Sequence, residues 1–151
     1  MATEHYPVPL VSQTKGKVEG VFVLDEDEDA DDVSLTLRYP SGEITGKAFD
    51  YFEAMCQIRD QLEVSGWRPV CYGSSRNVYP SGMCRDMGQG LKAYKMQLGQ
   101  RAALADLVKI FDVGPDVEPS SVEEQKQFWE EWLRSLGVML DNGKGNQRSP
   151  G

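Results

Sequence analysis

The sequence predicts an α+β fold in which an antiparallel sheet of about five to six strands packs against two helices, at about 50–64 and 121–136. Three observations carry this. Apolar residues alternate with polar ones in short runs before residue 50 and again over 91–98, the period of a half-buried strand. Two longer segments instead repeat apolar residues every three or four positions behind a capping sequence. Gly, Pro, Asn and Ser collect between these segments as turn chemistry.

Taken in order, residues 1–16 are polar and hold Pro7 and Pro9, so a poorly ordered lead-in is expected. A single domain should then run from 17 to 140, with a flexible, Gly- and Asn-rich tail over 141–151. Residues 17–24 predict a strand with Val21 and Val23 on one face and Phe22 and Leu24 on the other. Val33, Leu35 and Leu37 mark a second strand, residues 39–42 a turn, and 43–47 a third strand of the same meander.

Asp50 is placed to cap the first helix with Glu53 at the reciprocal position, and Tyr51, Phe52, Met55, Ile58 and Leu62 share its apolar face. Gly66 ends it. Residues 67–72 read as a strand that Pro69 confines to an edge or a bulge. Residues 73–90, with four glycines, one proline and no sustained period, read as a long loop of the kind that is usually functional or disordered.

Residues 91–98 resume as a strand. The segment 104–111 fits a helix face or a buried strand, and the compact LVKIF run favours a strand hairpinned to 91–98 through residues 99–101. Residues 112–120 are loop. Ser121 and Glu124 open the last helix, along which Val122, Gln125, Trp129, Trp132, Leu133 and Leu136 form a stripe. The expectation is that Trp129, Trp132 and Leu133 are core and Phe128 is partly exposed.

A chain of 151 residues, 40% hydrophobic and 26% charged, suits one folded domain with a real core. No run approaches the roughly 18 apolar residues of a membrane span. The first ten residues lack the basic start and apolar stretch of a secretory signal. Cys56, Cys71 and Cys84 are odd in number and widely separated, which reads as free thiols in a cytoplasmic protein.

Common catalytic equipment is missing from the pattern. His5 is the one histidine and falls in the lead-in, which disfavours imidazole-assisted nucleophilic chemistry. The cysteines are 15 and 13 residues apart, unlike zinc ligand pairs. Gly82, Gly88 and Gly90 match neither a P-loop nor a dinucleotide fingerprint. The run beginning Asp25-Glu26-Asp27 starts like a calcium loop, then has Ala30 and Thr36 where Gly and Glu are required. No catalytic residue, metal or cofactor is therefore expected.

Charge is concentrated in blocks. Residues 25–32 hold seven acids, Asp25, Glu26, Asp27, Glu28, Asp29, Asp31 and Asp32, in a chain whose net charge is −8. Such a run is either a solvated hairpin loop or a negative patch that steers a basic protein partner. Residues 65–101 hold six bases against Asp86 alone. Within them Arg76, Tyr79, Met83, Arg85 and Asp86 are candidates for contact with a partner or an anionic ligand, since Arg, Tyr and Met are favoured at interfaces. A nucleic-acid reading of this segment is weak, because the chain is acidic overall and the segment falls short of the broad basic stripe of such binders.

The segment SGWRPVCYGSSRNVYPSGMCRDMGQGLKAYKM, residues 65–96, resembles small bacterial immunity proteins of polymorphic toxin and contact-dependent inhibition systems. The likeness rests on a strand–long loop–strand layout rich in Arg, Asn, Tyr and Gly, together with small α+β size and acidity. It implies a non-enzymatic protein that neutralises a cognate toxin, such as a basic nuclease domain, by direct binding. The resemblance carries no site residues with it. Two other readings stay open: a small-ligand-binding domain or enzyme with an anion pocket under residues 73–90, and a phage-related or structural accessory protein.

Overall fold

A computed structural model describes residues 3–25 and 31–138. It shows an α+β fold of eight strands and three helices: β1 (Thr3–Ser12), β2 (Gly16–Asp25), β3 (Val33–Tyr39), β4 (Gly42–Ala48), α1 (Tyr51–Val64), β5 (Arg68–Pro69), β6 (Val78–Tyr79), α2 (Gly82–Gly88), β7 (Lys92–Lys95), β8 (Leu107–Lys109) and α3 (Val122–Ser135). The strands form two antiparallel sheets, one in the order β4-β3-β2-β1-β5 and a smaller one in the order β6-β7-β8.

The first correction concerns the N-terminal segment. Residues expected to be a loose lead-in form β1, which pairs along its whole length with β2 and lies between β2 and β5. Val8 and Leu10 are fully buried on its inner face. The prolines that argued against a strand are tolerated because of where they point. Pro9 turns its carbonyl to the amide of Val70 at 2.8 Å, away from β2. Pro7, two residues earlier, faces the same side. Neither proline removes a donor from the β1–β2 ladder.

The alternation read for β2 and β3 holds. Phe22 stands opposite Leu37 and Leu24 opposite Leu35, all buried. Asp50 caps α1, accepting from the Glu53 amide at 2.7 Å, and α1 lays Tyr51, Phe52, Met55, Ile58 and Leu62 onto the sheet. That approach is close at Gly46, where a Cβ would sit 2.4 Å from the carbonyl oxygen of Ala54. Gln57 then pairs its side-chain amide with both backbone groups of Lys47, at 3.0 and 2.9 Å, and covers part of the exposed edge of β4.

Residues 67–72 contribute only the two-residue β5, at the sheet edge as Pro69 requires. Residues 73–90 are not one loop. A 3-10 turn at Tyr72–Ser74 runs into them, β6 and α2 follow, and the last is opened by Ser81 accepting from the Cys84 amide at 3.1 Å. The strand expected over 91–98 is the shorter β7. Residues 104–111 combine both readings, a 3-10 turn at Leu104–Asp106 followed by β8, which is antiparallel to β7. Phe111 joins the two sheets by stacking on Tyr6 at 4.8 Å and tilting against Phe22 at 5.3 Å.

In α3 Leu133 is buried as expected, but the expected burial of the aromatics is inverted. Phe128 is buried beside Leu133 and Gln125, whereas Trp129 and Trp132 are only half-buried. The reason is polar: Gln125 and Arg59 bond each other in the interior and set the rotation of the helix. The tail over 141–151 lies outside the described residues. Among the described residues, no helix is long and apolar enough to cross a membrane.

Candidate functional site

The segment that the sequence singled out is organised around Arg85. It leaves α2 toward the N-terminus of α1, with its guanidinium 3.7 Å from both Asp50 and Glu53. It also lies over the rings of Phe52 at 5.0 Å and Tyr79 at 5.7 Å. Asp50 is fully buried, and burial raises its carboxyl above the usual range against the lowering effect of the Glu53 amide and Arg85. Gly90 adopts φ +70 beside this cluster, and a Cβ there would meet the Asp50 carboxyl carbon at 2.8 Å. Burial likewise raises the Tyr79 hydroxyl.

These contacts hold α2 in place without burying any of its residues. Met83 and Met87, one helical turn apart, are 69% and 81% exposed. Phe49, on which Arg85 also rests at 5.8 Å, is 57% exposed.

A cleft of about 630 Å³ opens on the other side of the same segment. It is walled by Tyr79 and Arg85, by Tyr94 and Met96 around β7, and by Trp129 and Trp132 on α3. Tyr79 stacks on Trp129, with ring centroids 4.7 Å apart and planes 16° apart. The Trp132 indole N–H donates to the Gln100 carbonyl at 2.8 Å, and the Gly99 amide donates to Ser135 at 2.7 Å. The 97–101 turn is thereby fixed to α3. Arg101 and Lys126 complete the cationic side of the cleft, and among the described residues no carboxylate lines it.

The remaining candidates are dispersed. Arg76 does not converge with Arg85. It pairs with Glu118 at 3.5 Å, lies over Phe128 at 4.5 Å, and lines a separate hollow of about 410 Å³ rich in glutamates. Asp86 is exposed on α2. Of the acidic run, Asp25, Asp31 and Asp32 are exposed at the ends of β2 and β3, while Glu26, Asp27, Glu28 and Asp29 lie outside the described residues.

Sequence reasoning missed Tyr94, Arg101, Lys126, Trp129 and Trp132 as parts of a site. A signal was present: Lys126, Trp129, Trp132 or Leu133, and Leu136 follow one another at helical spacing beside the buried stripe. Half-burial of a tryptophan cannot be told from full burial by spacing alone.

Two of the three thiols offer little nucleophilic chemistry. Cys56 and Cys71 are buried, and burial pushes both up to about 11. His5 is exposed on β1. Compared with known proteins, the chain matches no protein-family model and no curated protein.

Proposed function

We propose that this is a non-catalytic protein-binding module of the immunity type, which neutralises a bacterial toxin domain by direct contact in the cytoplasm. The observation that carries this reading is α2, a helix locked to α1 by Arg85 that nevertheless turns Met83 and Met87 to solvent. A firmly held surface of adaptable apolar side chains is what a protein interface needs. The burial of Cys56 and Cys71, which pushes both thiols up to about 11, and the exposed position of His5 support a protein that binds rather than transforms its target. The acids of 25–32 would add steering toward a basic partner and leave the contact itself to α2.

The test looks for a toxin domain encoded beside this gene and co-expresses the two. The wild-type chain should restore growth and co-purify with the toxin. Met83→Glu together with Met87→Glu should abolish both while the protein stays folded. Replacing the seven acids by Asn and Gln should slow association and flatten its salt dependence. Absence of a flanking toxin gene, or failure of the wild-type chain to rescue, would sink the reading.

A further inference from the structure

We infer that the cleft between α2, β7 and α3 is a binding site for a small planar anion, an aromatic or heteroaromatic ring carrying a carboxylate or phosphate. The inference does not rest on the protein-binding reading, because Met83 and Met87 do not line the cleft.

Three properties converge. The first is size: about 630 Å³ falls within the roughly 300–1,000 Å³ of small-ligand sites. The second is the wall. The Tyr79–Trp129 stack presents aromatic surface already in its final arrangement, and the bond from Trp132 to Gln100 fixes a second indole beside it. Rings held this way need no ordering when a ligand arrives, which removes an entropic cost of binding. A half-buried pair of tryptophans above a floor of Tyr94 and the buried Met96 leaves aromatic surface for a flat ring to cover.

The third is charge, and here the three cations differ. Arg85 is engaged by Asp50 and Glu53 and serves to hold Tyr79. Arg101 and Lys126 are exposed at the cleft and form no ion pair among the described residues. Among the described residues a ligand therefore meets two available cations and no lining carboxylate. An uncharged ring would leave that charge unused, and a bare anion would leave the aromatic wall wet. A ring that carries a carboxylate or phosphate uses both.

The experiment titrates the full chain with adenosine monophosphate and with indole-3-acetate, followed by tryptophan emission and calorimetry. Adenosine and indole supply the ring without the charge; inorganic phosphate and acetate supply the charge without the ring. At least one charged ring should bind saturably and at least tenfold more tightly than either of its halves. The gain of each over its own uncharged ring compares phosphate with carboxylate as the source of the charge. Arg101→Gln with Lys126→Gln should weaken binding at least tenfold, and Trp132→Leu should do the same with an unchanged circular dichroism spectrum. The inference is overturned if neither charged ring binds saturably in the millimolar range, if the uncharged rings bind equally well, or if the Arg101→Gln, Lys126→Gln variant binds as the wild type does.

Discussion

The guanidinium of Arg59 donates to the side-chain oxygen of Gln125 across 2.7 Å, joining α1 to α3 through the interior. Arg59 is 3% exposed and has no ion pair among the described residues. Its other bonds go to the carbonyls of Gly73 at 3.1 Å and Ser120 at 3.0 Å. Gln125 shares its own amide among the carbonyls of Gly73, Ser75 and Val78. One neutral side chain thus accepts from a buried cation, whose Nε has no partner among the described residues, and donates toward three backbone carbonyls. Gln125→Leu leaves Arg59 with the Gly73 and Ser120 carbonyls alone and takes a donor from the carbonyls of Gly73, Ser75 and Val78, and it should cost about 2–5 kcal/mol in urea unfolding. A loss below about 1 kcal/mol would mean that water or a rearranged chain replaces the amide.

Gly46 answers to a different constraint. Its backbone is ordinary for a strand, but a Cβ would lie 2.4 Å from the Ala54 oxygen, and that oxygen belongs to the α1 backbone. A helix cannot yield there as a flexible side chain can. Gly46→Ala should push α1 off β3 and β4 and destabilise the fold by about 1–3 kcal/mol, read as a lower denaturation midpoint. Gly42→Ala at the preceding turn tests the alternative cause. Its Cβ meets nothing within 4 Å and its φ is +144, so the cost there is conformational alone.

Thiol labelling should separate the cysteines by environment. Cys84 on α2 is half-buried, whereas Cys56 and Cys71 belong to the main core and have thiols pushed up to about 11. Near pH 8 the native protein should take one iodoacetamide adduct, at Cys84, and the other two only on unfolding. Rapid native labelling of Cys71 would show that the 3-10 turn at Tyr72–Ser74 opens readily.

The sequence made the large elements legible and the site much less so. α1 and α3 declare themselves because Asp50 and Ser121 cap them and their apolar spacing runs for 14 residues each. β1 was hidden by a general penalty on proline that depends on which way the nitrogen points, and pairing partners settle that. α2 was hidden because seven residues with none buried leave no periodic trace. The cleft needs Trp129 from α3, Tyr79 from β6 and Arg101 from a turn, which come together only in three dimensions. Arg76 and Arg85 showed the converse: they are close in the chain, but their salt bridges lead to different hollows.

Asp50 gives a pH-dependent prediction. Its carboxyl is raised in the folded protein, chiefly by burial, while in the unfolded chain it titrates near 3.8. The native state therefore holds that proton more tightly than the unfolded state does. The stabilising contribution is present below the unfolded value and is lost as pH rises through the folded one. Asparagine keeps the helix cap without the charge. The stability of Asp50→Asn relative to wild type should therefore increase as pH is raised from about 3 toward neutrality and then level off. Urea unfolding of both proteins across that range reads the difference directly. A relative stability that falls with rising pH would mean that Arg85, 3.7 Å away, and the Glu53 amide outweigh burial, leaving Asp50 a net stabilised anion.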